Sequence, residues 1–225
     1  MKRILTALIM LTGLSMADLS AQEKEIAIVA HRGFWNCDQA GLAKNSIAGL
    51  VQAQENDFWG SEFDVNMSKD GKLLVFHDGS VDGKSIEKNL ASEFEYYRLK
   101  NGEPIPTVDQ YLEQAKKYPE TMLVYELKVH SNKKAESKAV RLSIEKLKEY
   151  DLFYPERVMF ISFSKHICKE FAKLAPGFTV QYLDGDARPD ELVNDGINGI
   201  DIRHSVLRNH PTMFNDARKN NMGIN

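Results

Sequence analysis

From Ile26 onward the chain alternates between short apolar runs and longer segments whose apolar positions recur every three or four residues. The runs are Ile26–Ala30, Thr121–Leu127, Val158–Phe163, Phe178–Leu183 and Ile197–Ile202. Near-continuous apolar runs of this length mark strands buried on both faces, as in parallel sheets. Between them a 3.6-residue period predicts helices. One follows an Asn45 or Ser46 cap, with Ile47, Leu50 and Val51 on its apolar face, and another runs from a Thr107 cap through Leu112 and Ala115 to Lys117. A long charged helix over Lys133–Tyr150 keeps Val140, Leu142, Ile144 and Leu147 on one side, and shorter helices cover Lys165–Leu174, Pro189–Asn194 and Pro211–Asn220. Met222–Asn225 begins one more apolar run, and Gly79–Pro106 reads as a polar insertion with helical pieces and no strong core face. Strands alternating with helices predict an α/β protein with a parallel sheet.

One stretch departs from this pattern. Between Gly60 and Asp78, two runs flank a Ser68-Lys69-Asp70-Gly71 turn. In the first, Phe63 and Val65 are apolar while Glu62 and Asp64 fall on the other face, since positions i and i+2 of a strand project together. Two carboxylates side by side repel and are costly to bury without positive charge between them, and a divalent cation with oxygen ligands meets that need. Glu126 and Lys128 repeat the arrangement at another strand end and add a third carboxylate. His31 and His77 both end apolar runs, and a pair of histidines beside carboxylates suits a general acid and a general base. Arg32 and Lys128 place positive charge where a phosphoryl oxygen would need it. Tyr182 and Arg203 also stand at strand C-termini, the end at which barrels and open α/β sheets place their sites. His130, His166, His204 and His210 lack such neighbours and read as surface residues.

Composition narrows the functional classes. Met1-Lys2-Arg3, the apolar run Ile4–Leu14 and the small residues of Ser15–Ala21 form the pattern of a secretory signal peptide, which predicts export to the periplasm or the exterior. The apolar run is too short for a stable membrane anchor. Residues 22–225 then amount to one domain. The net charge is −3, and removing Lys2, Arg3 and Asp18 with residues 1–21 leaves −4, so nothing global favours nucleic acid or anionic lipid. No Gly-x-Gly-x-x-Gly or Walker-type loop follows the first strand. The spacing of Cys37 and Cys168 requires no disulfide.

Taken in order, His31-Arg32-Gly33, Asn45 opening a helix, Glu62-x-Asp64-Val65, Lys69-Asp70-Gly71, His77-Asp78, Ile105-Pro106-Thr107, Glu126-x-Lys128 and Ser162-Phe163 resemble the glycerophosphodiester phosphodiesterase family. The resemblance implies a (β/α)8 TIM-type barrel with a small insertion after the His-Asp strand, matching roughly residues 79–106. It implies His31 and His77 as the catalytic pair, Glu62, Asp64 and Glu126 as ligands of one Ca2+ or Mg2+, and Arg32, Lys128 and Asn45 as groups that hold the phosphate. The substrate would be a small-molecule phosphodiester, released as an alcohol and glycerol 3-phosphate. Two departures stand out. Ala43-Lys44-Asn45 replaces the family's Pro-Glu-Asn, and the sequence ends at Asn225, short of the family's closing strands and helix. Other readings of the same residues are a phospholipase C- or D-like enzyme acting on lipids, and a catalytically impaired module that binds glycerophosphodiesters. A glycosidase built on Glu62 and Glu126 would leave both histidines and both cations without a role.

Overall fold

The computed structural model describes residues 27–225, so the proposed signal segment 1–21 lies outside the described residues. Seven strands run parallel in one sheet: β1 (Val29–Ala30), β2 (Gly60–Met67), β6 (Met122–Leu127), β7 (Val158–Ser162), β8 (Thr179–Tyr182), β9 (Gly199–Ile200) and β10 (Gly223–Ile224), paired in that order. A short β3 (Leu73–Val75) folds back antiparallel on β2 across the Ser68–Gly71 turn. Helices return the chain between staves: α1 (Ile47–Glu55), α2 (Val108–Ala115), α3 (Lys133–Glu149), α4 (Lys165–Leu174), α5 (Pro189–Asn194), and α6 (His204–Asn209) with α7 (Met213–Lys219). This is the TIM-type α/β barrel expected, lacking part of its ring. Among the described residues β1 pairs only with β2 and β10 only with β9, and Val29 and Asn225 at the two free edges border one cavity.

Ser46 and Thr107 cap their helices as the sequence predicts, and Asn132 and Ser164 do the same for the next two. Ser46, Thr107, Asn132 and Ser164 each accept a hydrogen bond from a backbone N–H in the first turn of α1, α2, α3 and α4. The outer face of the sheet then packs on the helices through a chain of aromatic contacts. Tyr111 of α2 stacks on Phe63 at 4.3 Å, Phe63 meets Tyr125 at 5.0 Å, and Phe160 stacks on Phe171 of α4 at 3.9 Å. The inner face carries a separate apolar group, Val124, Met159, Ile161 and Leu183, which forms the floor of the barrel. Glu62, Asp64 and Glu126 project from that same inner face, above the floor.

The insertion differs from the expectation of a coreless polar segment. It forms a hairpin of β4 (Ser80–Val81) and β5 (Lys84–Ser85) and a 3-10 turn at Ala91–Phe94. Val81, Ile86, Phe94, Leu99 and Ile105 pack with Leu74 into a small core of their own. These apolar positions are too widely spaced for any one helix or strand to group them, so periodicity alone hides the cluster. Helix α6 was likewise absent from the sequence pattern.

Candidate active site

The C-terminal end of β2 sets the site. Its register places Asp64 opposite Glu126 on β6 and Glu62 opposite Val124, so the three carboxylates converge on one rim. One ligand atom from each lies within 4.8 Å of the others, and all three side chains are buried. Burial, with Asp64 and Glu126 nearby, raises the pKa of Glu62 well above the usual carboxylate range. Burial likewise raises Glu126, against the pull of Lys128. Asp64 goes the other way: burial opposes its ionisation, but Lys128 and the Asn45 amide outweigh it and its pKa is lowered.

Each carboxylate is held by named partners. Arg32 donates its backbone N–H to Glu62 Oε2 at 2.7 Å, and its Nε lies 3.5 Å from Asp64 Oδ2. Asn45 donates from Nδ2 to Asp64 Oδ2 at 2.8 Å and accepts the Asp64 backbone N–H at 3.1 Å. Lys128 Nζ donates to Glu126 Oε1 at 2.6 Å and to Asp64 Oδ1 at 3.1 Å. Burial works against the Lys128 ammonium, yet Asp64 and Glu126 overcome it and raise its pKa. Among the side chains of this cluster, two buried atoms have no hydrogen-bond partner, Glu62 Oε1 and Arg32 Nε. A buried carboxylate oxygen left bare costs about 1–3 kcal/mol or more, and a hard cation among three converging carboxylates would meet that cost. The donor set of oxygens alone fits such an ion.

The backbone that delivers Arg32 is unusual. Arg32 has φ +62° and Asn45 φ +58°, both left-handed. Asn45 donates its backbone N–H to the Arg32 carbonyl at 3.0 Å, and Gly33, with φ +77°, donates to the carbonyls of Ala30 and Glu62. A Cβ on Gly33 would sit 2.7 Å from the Gly49 carbonyl carbon, so only glycine lets this loop close on α1. Strained backbone held by surrounding bonds is a mark of functional sites.

His31 reaches the rim with Nε2 3.8 Å from Glu62 Oε2, and burial together with Arg32 lowers its pKa. His77 follows β3, with Nδ1 2.7 Å from Asp78 Oδ1. Asn66, two residues beyond Asp64 on the same face, donates to the carbonyls of Phe76 and Asp78 and so fixes the turn on either side of His77. Its i+4 relation to Glu62 was the one signal in the sequence for this role. His31, His77, Arg32, Glu62 and Glu126 all border a cavity of about 550 Å3 above the apolar floor, and Asp201 and Arg203 form its far wall. Asn45 stands behind Asp64, outside that lining. A second cavity of about 600 Å3, beside Ile47, Glu103 and Tyr150 on the outer surface, contains none of these groups.

Two residues depart from the sequence reading. His130 is buried, not on the surface, and its Nε2 accepts the backbone N–H of Met67 at 3.1 Å. Tyr182 turns away from the cavity and donates its hydroxyl to Asp186 at 2.7 Å.

Comparison with known proteins points in one direction. Residues 31–221 match the model of the glycerophosphoryl diester phosphodiesterase family. A glycerophosphodiester phosphodiesterase of Caldanaerobacter subterraneus subsp. tengcongensis is 27% identical over 202 residues, 84% of this chain and 76% of that protein. The crystal structure of a glycerophosphodiester phosphodiesterase from Parabacteroides distasonis superposes with a TM-score of 0.83 at 39% identity, covering 88% of this chain and 82% of that one. A phosphodiesterase of Oleispira antarctica, solved in complex with the product sn-glycerol-3-phosphate, shares the fold with a TM-score of 0.72 at 23% identity over 88% and 83% of the two chains.

Proposed function

Since the chain belongs to the glycerophosphodiester phosphodiesterase family, we propose that it hydrolyses glycerophosphodiesters to an alcohol and glycerol 3-phosphate at the rim formed by β2 and β6. The observation that carries this reading is the convergence of Glu62, Asp64 and Glu126 at the rim of the cavity that His31 and His77 border, with an unpartnered Glu62 oxygen among them. Glu62, Asp64 and Glu126 would hold one Ca2+ or Mg2+, which when bound supplies Lewis-acid polarisation of a phosphoryl oxygen.

The chain's own groups account for the remaining chemistry. Arg32 faces the cavity and places positive charge against the negative charge that builds up on the phosphoryl oxygens. Lys128, bonded to Asp64 and Glu126, fixes both carboxylates and holds the pKa of Asp64 down. Asp78 holds a proton on His77 Nδ1 and leaves Nε2 as the atom that exchanges protons in the cavity. The lowered pKa of His31 keeps it neutral near pH 7, free to accept or relay a proton. As water's oxygen bonds to phosphorus, one histidine takes its proton. The bond from phosphorus to the alcohol oxygen breaks, and the other histidine protonates the departing alkoxide.

Release of glycerol 3-phosphate from glycerophosphoethanolamine and glycerophosphocholine by the purified chain tests this. With Ca2+ or Mg2+ present turnover is expected, EDTA should abolish it, and Glu62→Gln should lower kcat/KM by about 100-fold or more, since even groups behind a metal ligand are worth about 10–100-fold. Failure of the wild type to release product with either ion overturns the proposal. Faster turnover of phosphatidylcholine vesicles than of glycerophosphocholine would move the substrate class to lipids. The proposal extends to export, supported by the pattern of residues 1–21. N-terminal sequencing of the protein from the periplasmic or culture fraction should find a start close to Gln22, and an intact Met1 start in the cytoplasmic fraction overturns it.

A further inference from the structure

Two cations border the cavity, and their electrostatic surroundings differ. Arg32 is matched by Asp64 at 3.5 Å and belongs to the carboxylate cluster. Arg203 sits on the opposite wall, exposed, and makes no ion pair among the described residues. Asp201, the other charged group on that wall, accepts a hydrogen bond from Asn225 at 3.5 Å, and burial raises its pKa while Asn225 and His31 pull the other way. Between the walls stands Phe163. Its ring centroid lies 6.0 Å from Arg203 Cζ and 6.0 Å from Lys128 Nζ. The same ring therefore links the cluster that would meet the phosphate with the unmatched guanidinium.

We infer that Phe163 and Arg203 form the wall that receives the alcohol half of the substrate, and that Arg203 selects alcohols carrying a second anionic group, a carboxylate foremost; this rests on the phosphodiester hydrolysis proposed above. The single charge of a phosphodiester would be met by the cation that Glu62, Asp64 and Glu126 would hold, beside Arg32, which leaves the Arg203 charge for the alcohol. A guanidinium offers paired donors in the geometry of a carboxylate. A cationic alcohol gains little here, because Lys128 and Arg203 already lie close to the ring that would attract it.

Glycerophosphoserine and glycerophosphoethanolamine differ by one carboxylate and make the test direct. The wild type should favour the serine ester by about tenfold or more in kcat/KM, the scale of a hydrogen bond to a charged group. In Arg203→Gln the ratio should fall toward 1, and Arg203→Lys should keep part of it, because charge survives while the paired donors are lost. A ratio of 1 or below in the wild type, or one that Arg203→Gln leaves intact, overturns the inference. Titration calorimetry of the two esters on the slow His77→Ala variant with Ca2+ present reads the same preference as a ratio of Kd values with little turnover. A binding preference without hydrolysis keeps the subsite and discards the reaction. Hydrolysis without discrimination does the reverse.

Discussion

Strands β2 and β10 belong to the same sheet but are supported very differently. β2 lies between β1 and β6, shares six residue pairs with β6, and is buried along its whole length. Among the described residues β10 stands at the edge, joined to β9 by two residue pairs, with Gly223 exposed. The chemical groups divide the same way. Glu62, Asp64 and Asn66 ride on β2, and their partners Arg32, Asn45 and Lys128 bond directly to them or to each other's neighbours. Asp201 and Arg203, which follow β9, and Asn225, which follows β10, line the cavity with a single long side-chain bond among them. The carboxylates that must be held close together to take a cation sit on β2 and β6, where the backbone is paired on both sides. Groups that merely choose among substrates can sit on the looser wall.

The largest expected contrast is in catalysis. His77→Ala should lower kcat by about 10²–10⁴-fold, the usual worth of a proton-transfer group, with the thermal midpoint little changed because His77 is partly exposed. Asn225→Ala on the far wall should leave kcat within a few-fold. If both substitutions depress kcat equally, the division between a rigid catalytic wall and a looser selecting wall fails. Stability should follow the same division. Phe160 is fully buried and stacked on Phe171, so Phe160→Ala should cost about 3–5 kcal/mol in urea unfolding. Ile224 of β10 is half-buried, and Ile224→Ala should cost about 1 kcal/mol.

Asn66 sharpens the comparison at closer range. Its amide holds the carbonyls of Phe76 and Asp78 and with them the position of His77. Asn66→Ala should lower kcat about 10–100-fold with KM nearly unchanged, as loss of groups that orient a reacting residue does. Loss of activity explained wholly by unfolding, with the folded fraction fully active, would remove Asn66 from that role.

How far the sequence led depended on the range of the interaction. The parallel strands, the capped helices and the pairing of Glu62 with Asp64 are local patterns, set by periods of two and 3.6 residues, and they were readable directly. The approach of Glu126 to Asp64 is a register between strands 62 residues apart, and it was inferred only because two strand ends carried similar motifs. The left-handed backbone at Arg32 and Asn45 had no sequence signal, because non-glycine residues enter that region only when their surroundings hold them there. The core of the insertion and the burial of His130 were hidden for a related reason: each depends on segments distant along the chain meeting in space.

His130 supplies the smallest of the expected effects and one specific to the well-supported wall. Its Nε2 accepts the Met67 backbone N–H at the end of β2, and burial lowers its pKa, with Glu87, the Lys128 backbone and Glu136 acting the other way. The folded protein thus keeps His130 neutral where the unfolded chain, with an ordinary histidine pKa near 6.5, takes up a proton. Below about pH 6.5 the unfolded state binds more protons, so stability falls as pH drops toward the lowered folded value, with a slope of at most about 1.4 kcal/mol per pH unit from this group. Above about pH 6.5 its contribution is complete and flat. Urea unfolding of the wild type and of His130→Gln at pH 5.5 and 7.5 isolates it. Glutamine has no proton to gain, so the stability lost between the two pH values should be smaller in the variant by up to about 1 kcal/mol. An equal loss in both proteins would show that acid acts on the carboxylates alone, and that the end of β2 gains no pH sensitivity from the histidine beneath it.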